Sequence, residues 1–209
     1  MARLPDLVRD SQLNVELRDG CTVHGYFESS LASRQRAVPR EETWKQERHI
    51  GGGAFGSVWL ETCTSGRQKG VVRAVKKIAL GRNSARDAVY IRELEAVAKF
   101  SHPKVWRLVL ARFFRLQMLT TLWQYERCFV KSFGWYESLG SLCIAMEYCE
   151  LGDLQGYLSS VPPLPEIQAQ EIIFQTLEGV RYMHKNEFAH RDLKPGVRSQ
   201  IPGFKARRV

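Results

Sequence analysis

The sequence has few cysteines and none of the cysteine spacings that build disulfide-bonded or zinc-bound domains. Its 209 residues contain 5 cysteines, an odd number, and no C-x-x-C pair. This scatter excludes a disulfide framework and a zinc site, and it is typical of reduced thiols in an intracellular protein, cytoplasmic or nuclear. Residues 1–6 lack the apolar stretch of a secretory signal, so we expect no such signal.

The chain is also short of acidic residues, and its excess positive charge is unevenly placed. Lysine and arginine number 31 against 22 acidic residues, which gives a net charge of +9. Residues 105–124 and 196–209 contain basic side chains and no acid, so the rest of the chain is close to balance. We therefore expect no nucleic-acid partner. Residues 105–124 are too charged to span a membrane and make a poor amphipathic helix, so we expect no membrane partner either.

Residues 1–43 are polar, and we interpret them as a leader and linker. Apolar residues on either side of the Asp19-Gly20 turn predict two short strands within this stretch, at 15–17 and 21–27. Residues 29–42 are rich in Ser, Arg and Gln, which indicates a linker. We find no internal repeat in the chain.

From Trp44 the pattern changes to strands joined by turns. The strands are predicted at 45–50, 57–60, 70–80, 129–136 and 142–147. A helix is predicted from Ser84, its N-cap, and its buried face carries Ile91, Leu94 and Ala98. Two later helices are predicted at 153–158 and 166–185. The longer one has an apolar stripe that we expect to pack into a core: Ala169, Ile173, Leu177, Val180 and Met183.

Gly51, Gly53 and Gly56 form a G-x-G-x-x-G pattern, which is weak evidence by itself. A dinucleotide fingerprint requires a helix after the glycines, whereas residues 57–60 favour a strand. A strand on both sides leaves two interpretations. One is an ordinary glycine-rich hairpin, and the other is a flap whose backbone N–H groups approach phosphates.

The sharpest motif is His190-Arg191-Asp192-Leu193-Lys194-Pro195. It resembles the catalytic loop of eukaryotic protein kinases, H-R-D-L-K-P-x-N, in the form with lysine two places after the aspartate that serine/threonine kinases have. The resemblance covers residues 44–104 and 125–195. The upstream motifs follow in the family's order: the glycine run, Ala74-Val75-Lys76, Ile91-Arg92-Glu93-Leu94, His102-Pro103, Ile144 to Cys149, and Gly152-Asp153-Leu154.

The resemblance implies the role of each catalytic residue. Asp192 is the base that accepts the proton of the substrate hydroxyl, and Lys194 stabilises the transferring phosphoryl group. Lys76 contacts the α- and β-phosphates, and Glu93 forms an ion pair with Lys76. Glu95 competes with Glu93, but it lies about 200° further round the helix.

Two adjacent lysines, Lys76 and Lys77, compete for the phosphate-binding role. Side chains alternate between the two faces of a strand, and in the family Ala74 lies against the adenine. Lys76 shares the face of Ala74, so we assign the role to Lys76. Lys77 then points to the opposite face as a solvated surface charge.

The resemblance also implies a set of ATP contacts. Ile50 and Val58 form apolar walls, and Met146 guards the back of the adenine pocket. Plain core packing also explains Met146, and the two interpretations are compatible. Asp153 faces the ribose or the substrate, although N-capping of a short helix explains it equally well. The full set is Ile50, Gly51, Gly52, Gly53, Ala54, Phe55, Gly56, Val58, Ala74, Lys76, Met146, Glu147, Cys149 and Asp153.

The chain departs from the family pattern in two places. Residues 105–124 interrupt a helix-to-strand connection that matches the family pattern when they are removed. Residues 196–209 replace the rest of the catalytic loop. Position 197 is Val where the family has a metal-binding Asn, and the D-F-G and A-P-E motifs are absent, so the Mg²⁺ ligands of the complete family are missing here. We interpret both departures as translated introns; a genuine truncated isoform is the alternative.

The resemblance implies an α+β fold like that of a protein kinase. We expect the small lobe, with an antiparallel sheet and one helix, at 44–148, the start of an α-rich large lobe at 149–195, and a basic tail at 196–209. The expected function is phosphorylation of Ser or Thr hydroxyls in protein substrates, with ATP as cofactor. The chain of 209 residues is expected to lack this kinase activity. The alternative function is that of a catalytically dead kinase fragment that acts as a binding or scaffold module.

Overall fold

The computed structural model divides the chain into two compact units. The first consists of Met1–Ala98 with Ser132–Tyr148, and the second of Lys99–Lys131 with Cys149–Val209. The structure describes residues 6–28, 38–53, 56–80, 84–101, 128–150, 152–191 and 193–195. The predicted insert at 105–124, the predicted tail at 196–209 and most of the predicted linker therefore lie outside the described residues.

The first unit is built on one antiparallel sheet, which has seven strands within the described residues. Their bounds are β1 Val15–Arg18, β2 Cys21–Glu28, β3 Val38–Gly53, β4 Gly56–Ser65, β5 Val72–Ala79, β6 Ser132–Ser138 and β7 Ser141–Glu147. Their order across the sheet is β1-β2-β3-β4-β5-β7-β6. Helix α1, Asp6–Asp10, precedes the sheet, and helix α2, Ser84–Ser101, follows β5.

Part of the stretch interpreted as leader and linker belongs to this sheet. β2 pairs with the first part of β3 from Glu28↔Val38 to Cys21↔Lys45, so residues 38–43 are strand and not linker. β1 and β2 form a hairpin in the predicted place. Asp19 and Gly20 have φ values of 51° and 75°, as the type I′ turns preferred in hairpins require. The sequence predicts the two strands of this hairpin but not the strand at residues 38–43, whose polar residues are ordered by pairing with β2.

The two ends of the sheet order come together through the residues just before β1. Gln12 forms a parallel bridge with Trp135 of the edge strand β6. The amide of Leu13 donates to the carbonyl of Trp135 at 2.7 Å, and the amide of Trp135 donates to the carbonyl of Ser11 at 3.1 Å. Gly134 has a φ of 129°, and a Cβ there would lie 2.5 Å from the Ser11 carbonyl oxygen, so this approach requires glycine.

Helix α2 packs on one face of the sheet through two of the three residues that its periodicity predicts, and the third, Ile91, is half-buried. Leu94 and Ala98 are 4% and 1% exposed, and they share a hydrophobic cluster with residues from the strands and from α1. The buried members of this cluster are Val8, Ile78, Leu94, Ala98, Trp135, Leu142 and Ile144. The helix begins at Ser84 as predicted.

The second unit contains helix α3, Leu154–Ser160, and helix α4, Glu166–Lys185. The carboxyl-terminal part of α4 packs on an aromatic cluster in which the ring centroid of Phe100 lies 5.3 Å from that of Phe129 and 5.8 Å from that of Tyr182. Farther up the helix, Ile173 and Leu177 are 58% and 59% exposed. The predicted apolar stripe is therefore only partly covered. No helix in the described ranges is long and apolar enough to cross a membrane.

Candidate active site

The glycine run forms the tip of the hairpin between β3 and β4. Gly51 pairs with Val58, Gly52 with Ser57, and Gly53 with Gly56. A strand therefore follows the glycines, as predicted, and the helix that a dinucleotide fingerprint needs is not there. Ile50 lies at a register shift between His49 and Gly51, where β3 bends. Ala54 and Phe55, two of the predicted ATP contacts, lie outside the described residues.

Gly56 is required by strand packing. Its φ is 133°, and a Cβ at this position would overlap the backbone carbonyl oxygen of Lys77 on β5. Gly52 is exposed, and a Cβ there would lie 3.3 Å from Nε2 of His49. The family resemblance implies that both glycines let the backbone approach the phosphates of ATP. The close passage of β4 and β5 already explains why Gly56 is glycine. Gly52 remains available for that approach.

The two adjacent lysines of β5 point to opposite faces of the sheet. Lys76 is opposite Val58 in the register, and its ammonium forms an ion pair with Glu93 of α2. Lys77 is opposite Ser57, and its ammonium bonds to the side-chain oxygen of Gln46. The structure therefore brings together Lys76 and Glu93. It places Lys77 on the other face, next to β3, where its side chain is half-buried and not the solvated surface charge that the sequence predicts.

The packing of α2 sets the position of Glu93. Leu94, the next residue, is buried in the cluster between the helix and the sheet. The side chains of Lys76 and Glu93 are both 28% exposed, so water reaches the pair and screens its attraction. An ammonium has three N–H donors, and a single carboxylate oxygen accepts one of them. The others can serve an anion.

The predicted adenine contacts lie along β5 and β7. Ala74, which is 4% exposed, is opposite Met146, and Arg73 is opposite Glu147. Met146 packs against the cluster that contains Leu94. Core packing is compatible with a position at the back of the adenine pocket, which stays a prediction. Val58 shares the face of its partner Lys76, because residues directly opposite in an antiparallel pair point to the same side.

Two predicted site residues lie at the start of α3 and just before it, in the second unit. The carbonyl of Cys149 accepts a hydrogen bond from the amide of Gly152 at 3.1 Å. Asp153 is the N-cap of α3, and its Oδ1 accepts a hydrogen bond from the amide of Gly156 at 2.7 Å. The capping interpretation of Asp153 is thus realised, and its contact with ribose or substrate stays a prediction.

The catalytic-loop motif is also in the second unit. The amide of Gln155 in α3 donates to the carbonyl of Pro195 at 2.9 Å, which ties the end of the motif to this helix. Arg191 has a φ of 61°, a left-handed conformation that is uncommon for a residue with a side chain. The side chain of Lys194 is exposed. Asp192, the predicted base, lies outside the described residues.

A buried polar cluster that the sequence did not reveal occupies the other face of the sheet. Arg73 and Glu61 are each 2% exposed, and Nη2 of Arg73 lies 2.7 Å from Oε2 of Glu61. The guanidinium also lies 4.0 Å from the ring centroid of Trp44. Charged residues at alternate strand positions ordinarily indicate a solvated face. Here β1, β2 and the first part of β3 enclose that face.

His24 belongs to this cluster and is 7% exposed. Nη2 of Arg73 lies 2.9 Å from Nε2 of His24. Since a guanidinium can only donate, Nε2 accepts and the proton of the neutral ring is on Nδ1. Burial, with the nearby positive charge of Arg73, lowers the pKa of His24 to about 3. Burial likewise raises the pKa of Tyr136 and of the Cys143 thiol, which line the same face.

A family model described as the protein kinase domain matches residues 44–196. This range covers most of the chain and includes the glycine hairpin, the Lys76–Glu93 pair and the catalytic-loop motif. The chain therefore belongs to the protein kinase family, and the described residues of its first unit contain the antiparallel sheet and the long helix that the family resemblance predicts. The predicted incomplete α+β fold is confirmed.

Several proteins with curated names are similar to this chain. The chain is 28% identical over 151 residues to serine/threonine-protein kinase ATG1b of Arabidopsis thaliana, which is 71% of this chain and 17% of the relative. It is 30% identical over 146 residues to cell division control protein 7 of Schizosaccharomyces pombe, covering 69% and 11%. With human serine/threonine-protein kinase Nek11 it shares 28% over 153 residues, covering 71% and 20%. The chain thus spans a small part of these proteins.

The family implies ATP and Mg²⁺, and the described residues include donors for the phosphates of ATP. The exposed Gly52 and the ammonium of Lys76 offer donors for phosphate oxygens. By contrast, no group of three or more His, Cys, Asp or Glu side chains in the described ranges can hold a metal ion.

Proposed function

We propose that this chain is a serine/threonine protein kinase sequence whose first unit binds ATP. The Lys76–Glu93 ion pair between β5 and α2 is the observation that carries the proposal. It joins the two residues that the family resemblance assigns to phosphate positioning. The family reaction transfers the γ-phosphoryl group of ATP to a Ser or Thr hydroxyl of a protein substrate. The reduced cysteines support an intracellular location, cytoplasmic or nuclear.

In this proposal the residues of the chain bind and orient the nucleotide. Glu93 fixes the ammonium of Lys76, whose remaining N–H groups donate to the α- and β-phosphates. Backbone N–H groups of the glycine hairpin approach the same phosphates, and Ala74 and Val58 contact the adenine. Asp192 accepts the proton of the substrate hydroxyl, and Lys194 stabilises the transferred group.

Titration of ATP into two matched variants tests the binding proposal. Lys76→Met and Lys77→Met remove the same charge at adjacent positions on opposite faces of β5. We expect Lys76→Met to weaken ATP binding by about tenfold or more, since hydrogen bonds to charged groups contribute roughly 1.5–3 kcal/mol. Lys77→Met is expected to leave binding unchanged. If Lys77→Met is the damaging change, the assignment of Lys76 is wrong.

A second candidate function is a catalytically dead module that binds partners of a complete kinase. It is favoured by Val197, which stands where the family has a metal-binding Asn. We predict that the 209-residue chain has no measurable phosphotransfer and that its ATP binding is nearly insensitive to Mg²⁺. Peptide labelling from ATP well above that of an Asp192→Ala control would contradict this prediction.

A further inference from the structure

The residues before β1 contribute to the cluster that holds α2. Val8 of α1 is 0% exposed, and it belongs to the same hydrophobic cluster as Leu94 and Ala98 of that helix. Leu7, its neighbour on α1, is 39% exposed. One side chain of α1 is thus fully buried while the adjacent one is in contact with water. Residues 6–15 are called the N-terminal segment below.

Trp135 anchors this segment to the sheet. Its indole Nε1 donates to the carbonyl of Val8 at 2.7 Å, and the hydroxyl of Ser11 donates to the same carbonyl at 2.8 Å. The backbone of Trp135 also bonds to Ser11 and Leu13, as described above. Trp135 is 2% exposed and packs in the α2 cluster itself. The position of Val8 is therefore set by β6.

Packing, and not the ion pair, has to hold α2 in place. The Lys76–Glu93 pair is partly exposed, and exposed pairs stabilise a geometry weakly. The buried apolar residues of α2 hold the helix far more strongly, and Leu94 follows Glu93 directly in sequence. A gap in the cluster at Val8 gives the helix freedom to shift, and Glu93 moves with Leu94.

We propose that Val8 and Trp135 are positioning residues for the Lys76–Glu93 pair. They act through α2: Val8 fills the cluster against which Leu94 packs, and Trp135 fixes Val8. This role places the N-terminal segment in the nucleotide-binding machinery, although the segment lies outside the residues that the protein kinase family model matches. The consequence for ATP rests on the proposed function, whereas the consequence for the geometry of the pair does not.

Lysine labelling of the full chain under native conditions tests the geometry. Peptide mass spectrometry follows the rates at which an amine-reactive ester modifies Lys76 and Lys77 in wild type, Val8→Ala, Trp135→Phe and Glu93→Gln. We expect Val8→Ala, Trp135→Phe and Glu93→Gln each to raise the labelling rate of Lys76 by about threefold or more, because local opening exposes the paired ammonium. The Lys77 rate is expected to stay at its wild-type value.

Two further variants sharpen the labelling test. Leu7→Ala removes an exposed side chain from the same helix, and Val8→Ile keeps the buried position filled; both are expected to label like wild type. The proposal is overturned if Val8→Ala leaves the Lys76 rate unchanged, or if Glu93→Gln does. It is also overturned if Lys77 accelerates in step with Lys76, because the segment then acts on overall stability alone.

ATP titration of the same variants separates this inference from the proposed function. We expect Val8→Ala to weaken ATP binding, and the double variant with Glu93→Gln to be no weaker than Glu93→Gln alone, because both changes act on one pair. The proposal is overturned if the losses of ATP affinity in Val8→Ala and Glu93→Gln add fully in the double variant. If wild type itself does not bind ATP, the proposed function fails, and the labelling rates still decide whether Val8 and Trp135 position the pair.

Discussion

His24 should make the stability of the first unit depend on pH between the pKa of its ring in the folded chain and that in the unfolded chain. Its folded pKa of about 3 lies well below the ordinary value of 6.5. Between these two values the unfolded chain binds a proton that the folded chain does not. Acidification therefore favours unfolding. The contribution of His24 to the free energy of unfolding is complete above pH 6.5, and it is lost progressively as the pH falls toward 3.

The size of the effect near pH 5 depends little on the folded pKa. Protonation of the unfolded chain begins at its own pKa of 6.5. About pH 5 lies about 1.5 pH units below this pKa, and each unit corresponds to about 1.36 kcal/mol. Protonation therefore lowers the free energy of the unfolded chain by about 2 kcal/mol. The value holds as long as the folded ring stays neutral there. Arg73 faces the ring, and Glu42 is its partner in the strand register.

Urea unfolding at about pH 7.5 and about pH 5 measures this free energy in wild type, His24→Gln and His49→Gln. Glutamine cannot bind the proton, and its amide oxygen can still accept from Arg73. We expect the loss of stability on acidification to be about 2 kcal/mol smaller in His24→Gln than in wild type. His49 is exposed on β3, so His49→Gln is expected to behave like wild type. Equal losses in wild type and His24→Gln would refute the reasoning.

Three further changes test other parts of the structure. Arg73→Leu should destabilise the first unit by about 3–5 kcal/mol by leaving Glu61 buried and unpaired, and the double variant with Glu61→Leu should recover most of this in urea unfolding; no recovery would contradict the pairing. Asp153→Ala should lower the stability of the first turn of α3 by about 1 kcal/mol, seen as faster amide exchange there, while Asp153→Asn should not; equal exchange in both variants would count against the cap. Deletion of residues 105–124 should raise soluble yield and melting temperature because the segment interrupts the connection between α2 and β6; a lower melting temperature would show that it is integrated into the fold.

Local patterns were sufficient to predict the elements around the candidate site. Alternation along β5 separates Lys76 from Lys77, and the helical period places Leu94 and Ala98 on the buried face of α2. Both patterns repeat within a few residues, so they can be read from one segment without knowledge of its partners. The strand after the glycine run was predictable for the same reason.

Features that depend on distant partners were not predictable. The strands β1 and β2 are predicted from their own residues, but their enclosure of Arg73 and Glu61 depends on pairing with β3, which no local pattern shows. The requirement for glycine at Gly56 comes from the backbone of Lys77 on another strand. A buried charged pair has the same local sequence pattern as an exposed one. Only the register of the whole sheet distinguishes the two cases.

The bond between the Val8 carbonyl and the Trp135 indole has a consequence for the order of folding. The two residues are 127 positions apart in the sequence. During synthesis α1 leaves the ribosome early, but it has no docking surface until β6 has emerged and paired with β7. Closing so long a loop is entropically costly and slow, so the N-terminal segment is expected to dock last. Until then the edge of β6 is open to other chains, and the nascent protein is most prone to aggregate in that interval.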